Sequence, residues 1–103
     1  VRHARFDVHR IDVDGVDLPL AYGDLLVAEQ DGNPTLQWEL QVVLLGEEGP
    51  TPVSADRAPS SVSLLLLDGR RVQGSAFLVR SSERMHVFRG LVPLAGIDPA
   101  ELV

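Results

Sequence analysis

Three features of this sequence predict an all-β domain, a small antiparallel barrel or a two-layer sandwich of about six to seven strands with a short C-terminal helical turn. Apolar and polar residues alternate with period two along several short runs, the pattern of strands with one buried face. Asp-Gly pairs punctuate the chain at Asp14-Gly15, Asp31-Gly32 and Asp68-Gly69. Such a pair between two strand-like runs signals a hairpin, because a tight type I′ turn needs two residues that tolerate positive φ. The third feature is that helix-start chemistry is confined to Asp98-Pro99-Ala100-Glu101, where an acidic cap is followed by Pro and Glu.

The run from Val62 to Val79 sets the centre of the domain. Val62, Leu64 and Leu66 point one way and Leu65 and Leu67 the other, so this strand asks for cover on both sides. Asp68-Gly69 turns the chain, after which Val72, Gly74, Ala76 and Leu78 share a face opposite Phe77 and Val79. Gly74 in mid-strand marks a bend, a bulge or a close backbone approach.

Before this hairpin, Ala4, Phe6 and Val8 alternate with His3, Arg5, Asp7 and His9. Ile11 and Val13 carry on with the opposite parity, which calls for a bulge near His9-Arg10 or an end to the strand. After Asp14-Gly15 come Val16, Leu18, Leu20 and Tyr22, interrupted by Pro19, which a strand tolerates at an edge or a bulge. The apolar burst within Asp24 to Gln30 reads as a separate short strand paired through Asp31-Gly32-Asn33-Pro34 with the cleanest run in the chain, Thr35 to Leu45. There Leu36, Trp38, Leu40, Val42 and Leu44 oppose Gln37, Glu39, Gln41 and Val43. Trp38 is assigned to the core. Gly46 to Ser61 is a polar loop, Met85 to Phe88 a last strand ended by Gly90, and Leu91 to Ala95 an irregular path across the core.

The chain of 103 residues reads as one β domain over 1–103, with 45% hydrophobic residues arguing against disorder of the whole. It contains no Cys, which removes disulfides and thiolate chemistry and mildly favours a reducing, cytoplasmic setting. A formal charge of −6, from 15 acidic against 9 basic residues, sets an overall field that repels nucleic acid and anionic lipid. No uncharged run is long enough to cross a bilayer, and no positively charged leader precedes an apolar stretch at Val1.

The chemistry-bearing residues support three readings. His3, Asp7 and His9 share a strand face and His86 could join them, as a metal site or in a small hydrolase. Against this stand the lack of a zinc motif and the ordinary reading of a charged, exposed strand. Arg70, Arg71, Arg80, Arg84 and Arg89, interspersed with Phe77, Phe88 and His86, could hold a nucleic-acid strand, but aromatic residues are few. No serine lies in a nucleophile elbow, and the glycines form no phosphate cradle, so no cofactor is implied. The favoured expectation is a non-catalytic interaction or assembly module. Its contact residues would be Leu65, Leu67, Phe77, Val79 and Val43, the apolar side chains that a small sheet leaves uncovered, and its partner another protein or a second copy.

Overall fold

Strands form where the alternation is cleanest, and a closed sheet supplies the cover that the apolar runs demand. The computed structural model describes residues 2–29, 36–45, 59–82, 84–91, 94–98, 100 and 102. Its strands are β1 (His3–Val13), β2 (Val16–Leu18), β3 (Leu20–Glu29), β4 (Leu36–Leu44), β5 (Ser60–Leu66), β6 (Arg71–Ser82) and β7 (Met85–Gly90). Every pairing is antiparallel, in the order β2-β1-β3-β4-β7-β6-β5, and β5 returns to pair with β1. Six strands therefore close a barrel, with β2 as one extra strand beside β1. Of the two architectures left open by the sequence, the barrel forms, and closure removes the unpaired edges that a flat sheet would expose. The ring consists of two meanders, β1-β3-β4 and β5-β6-β7, joined first strand to first and last strand to last.

The inward residues are those picked out by parity. Ile11, Leu25, Leu40, Val42, Leu64, Leu66, Val72 and Phe88 are among the fully buried side chains. In β1 the register shifts between Val8 and Arg10, so His9 is the bulge that lets Val8 and Ile11 both face inward despite their opposite parity. The β6 register shifts likewise between Leu78 and Arg80, leaving Val79 as the bulged residue.

Several boundaries differ from the sequence reading, each for a local reason. The break after the first turn falls at Pro19, which has no N–H to donate, and its carbonyl instead accepts from Leu45 N–H at 2.7 Å. From Leu20 the strand runs on without interruption, so the apolar burst at 25–28 is its continuation rather than a separate strand. β5 begins at Ser60, two residues inside the expected polar loop, and Ser60 is buried. The expected turn at 31–34 and the rest of that loop, 46–58, lie outside the described residues.

The two described Asp-Gly pairs make different turns. Asp14 and Gly15 both have positive φ, 51° and 82°, the two-residue type I′ geometry. At the second pair Gly69 alone is positive, at 94°, and its N–H donates to Leu66 O at 3.0 Å. Leu67-Asp68-Gly69 is thus a three-residue loop with its glycine in the bulge position, and Leu67 belongs to the turn, 64% exposed, instead of to the strand.

At the C-terminus Gln73 and Ala95 exchange two backbone hydrogen bonds, of 3.0 and 2.9 Å, and Leu94, Ile97 and Leu102 are buried against the core. This segment runs beside the part of β6 that β7 does not reach. Asp98 Oδ1 caps Ala100 N–H at 2.9 Å, while Pro99 and Glu101, the remainder of the expected helical turn, lie outside the described residues. Among the described residues no helix is long and apolar enough to cross a membrane.

Candidate functional site

Because β4, β7 and β6 are consecutive around the barrel, their outward residues form rows across the strands. Glu39, Arg89 and Phe77 make one row, Gln41, Val87 and Arg80 the next, and Val43, Met85 and Ser82 a third, with Tyr22 of β3 opposite Val43. Direct cross-strand neighbours have Cβ atoms about 4.5–5.5 Å apart, close enough for side chains to touch. The bulge pushes Val79 out of the ladder, where it is 51% exposed, and Phe77 beside it is 37% exposed. Gln41 Nε2 donates to Met85 Sδ at 3.2 Å and steadies the thioether on this face.

Two depressions lie on this outer surface. One, of about 400 Å³, is bordered by Val79, Arg80, Met85 and Val87. The other, of about 610 Å³, is bordered by Leu26, Ala28, Gln37 and Leu91. Glu39 and Arg89 border both, and their charged groups approach to 3.9 Å, so this pair stands between two neighbouring depressions. The result is a groove with aliphatic walls at each end and polar side chains between. Arg80 stands in one wall, and Arg84 occupies the turn that leads into β7; neither has an ion-pair partner among the described residues. Asp24, the next acid along the Gln41 row, is held by Arg5 at 2.7 Å.

The structure gathers some of the residues named from sequence and disperses others. Val43, Phe77 and Val79 come together here, as do Arg80 and Arg89, so part of the apolar set and part of the arginine set share one face. Leu65 does not join them: it is half-buried, and its cross-strand neighbours are Arg10 and Arg71. Leu67 sits on its turn. Arg70 is also elsewhere, bonded to Asp68 at 2.7 Å with its guanidinium 5.2 Å from the centre of the Phe6 ring. The side-chain and backbone hydrogen bonds from Arg70 hold the Asp68 carboxyl below its usual pKa.

The histidines part company as well. His3 and His9 are exposed outside the barrel, whereas His86 is buried within it, because its strand parity places it beside Phe88 on the inner face. No three His, Asp or Glu side chains gather to hold an ion among the described residues, so His3, Asp7, His9 and His86 do not form the metal set entertained above. His86 Nδ1 lies 2.7 Å from Ser81 Oγ, and burial lowers the pKa of the ring. Serine and imidazole are thus in hydrogen-bond contact, but among the described residues no carboxylate bonds to the ring to orient it as a catalytic base.

The sequence reading missed Met85, Val87, Leu26 and Leu91 as members of the face. Val87 could have been found from its parity opposite His86 and Phe88. What made the groove invisible was the pairing of β4 with β7, two strands separated by forty residues. No protein-family model matches the chain, and neither a curated protein nor a solved structure is significantly similar to it.

Proposed function

We propose that this chain is a non-catalytic interaction module that docks a protein segment on the outer face of β4, β7 and β6. The observation that carries the reading is the two-part groove on either side of Glu39 and Arg89, with the bulged Val79 exposed at one end and Leu91 at the other. The barrel interior is filled with its own side chains, so the uncommitted apolar surface lies outside. Exposed apolar side chains rimmed by charge are the usual anatomy of a docking surface.

Random-peptide display on the immobilised chain tests this directly. Val79→Asp alters an exposed bulge residue and is expected to leave the thermal midpoint within about 2 °C, as surface substitutions generally do. Peptides selected on the original chain should lose about tenfold or more in affinity for the variant, since a buried charge opposite an apolar contact has no partner. Selected peptides that bind both forms equally would remove the groove as the docking site. Should the occupant instead be a second copy, light scattering would show a mass above the 11.2 kDa of one chain, reduced to that mass by the same substitution.

A further inference from the structure

Resting on that docking face, we infer that its partner is an extended acidic segment carrying apolar side chains. The chain has a net charge of −6, yet this face presents Arg80 and Arg89, with Arg84 at the adjoining turn. Of the described acids nearby, Glu39 is engaged with Arg89 and Asp24 with Arg5, while Arg80 and Arg84 have no ion-pair partner among the described residues. Among the described residues, then, Arg80 and Arg84 offer their charge to an incoming carboxylate, and planar guanidinium groups bind carboxylates through paired hydrogen bonds.

The shape of the groove selects for a chain and not a point ligand. Aliphatic side chains border it on both sides of the Glu39–Arg89 pair, Leu26 and Leu91 on one side and Val79 and Val87 on the other. An extended segment projects alternate residues to one side at a spacing of about 6.6–7 Å, which lets apolar residues enter the two depressions while acids between them reach the arginines. Nucleic acid carries the required charge but lacks the match. Its bases want aromatic platforms, and the rows of this face offer Phe77 and, at their far edge, Tyr22, among aliphatic and polar side chains.

The test uses a fluorescein-labelled peptide of leucine and glutamate, two glutamates to each leucine, in fluorescence anisotropy with the whole chain. Three controls replace glutamate by lysine, replace leucine by serine, or substitute a single-stranded oligonucleotide of equal charge. The expected result is binding of the leucine–glutamate peptide alone, weakened by added salt and by about tenfold or more in the double variant Arg80→Glu, Arg84→Glu. Amide-resonance shifts on binding should centre on Val79, Arg80, Val87 and Arg89. Unchanged affinity in the charge-reversed variant, equal binding of the lysine peptide, or binding of the oligonucleotide in place of the acidic peptide would each overturn the inference. If displayed peptides prove dependent on Val79 but carry no acidic residues, the partner chemistry fails while the docking face stands. If no selected peptide depends on Val79, the face itself fails.

Discussion

The barrel interior is mainly apolar at one end of β4, where Ser60 is the buried polar residue, and holds a hydrogen-bonded imidazole among apolar side chains toward the other, and the contrast shows how one strand can serve two kinds of packing. Near the start of β4, Trp38 lies over Gly90 and Gly74 and donates its indole N–H to Leu91 O at 3.0 Å. Leu94, Ile97 and Leu102 of the C-terminal segment are buried in the same core. Toward the end of β4, Val42 pairs with His86, which pairs in turn with Ser81. The first region is held by shape: a large ring occupies the space that two missing side chains leave. The second is held by a hydrogen bond whose strength depends on the protonation of one imidazole.

The largest test of this contrast is Gly90→Ala. A Cβ at Gly90 would stand 2.0 Å from the Trp38 ring, and at Gly74 2.8 Å from it, distances that oblige the indole to move. Trp38 is 3% exposed, so it has little room to do so. A loss of about 3 kcal/mol is expected in urea unfolding, at the upper end of ordinary overpacking costs. If the clash is with the indole, the loss shrinks when Gly90→Ala is made together with Trp38→Leu, and the double-mutant cycle returns a coupling of about 1 kcal/mol or more. Additive losses would mean that Gly90 is needed for its backbone alone.

Trp38→Phe probes the same region more gently. The smaller ring keeps most of the apolar contact but abandons the bond to Leu91 O, for an expected cost of about 1–2 kcal/mol. A cost well below that range would show the Leu91 carbonyl finding another donor, and the contribution of Trp38 would then be packing alone.

The apolar end was largely legible in the sequence and the polar end was not. Trp38, Leu40, Val42 and Leu44 declared themselves through uninterrupted alternation, and a glycine in mid-strand at position 74 marked a bend, a bulge or a close backbone approach without choosing among them. That Gly74 leaves room for the Trp38 ring was hidden, because contact between β4 and β6 follows from barrel closure and leaves no local pattern. The same limit hid the groove: parity gave the outward direction of Val43, Phe77 and Arg89 separately, but only the β4–β7 and β6–β7 registers bring them onto one face. Turn type was beyond reach for a different reason. Asp-Gly suits both the two-residue loop at Asp14-Gly15 and the three-residue loop at Leu67-Asp68-Gly69, since each needs a glycine at positive φ, and the flanking register decides between them. His86 could join His3, Asp7 and His9 only if the fold brought it to their strand; its neighbours are instead β4 and β6, and its parity with Phe88 puts it inside.

The smallest effect belongs to the polar end and is read with pH. Burial lowers the His86 pKa from its ordinary 6.5, so the native state binds its proton less readily than the unfolded chain does. Stability from this group is fully present above about pH 6.5, where both states are neutral, and falls as the pH drops through that value toward the lower native pKa. His86→Gln should flatten this part of the stability-versus-pH curve, while Gly90→Ala lowers the curve at every pH without changing its shape. Ser81→Ala sharpens the assignment further. It removes the hydroxyl 2.7 Å from Nδ1 without removing the burial that lowers the pKa, so the pH dependence should survive although stability drops at neutral pH. A curve that keeps its slope between pH 5 and 7 after His86→Gln would assign that slope to the carboxylates, whose protonation also lowers stability in acid, and would leave His86 a packed ring with no electrostatic part in the fold.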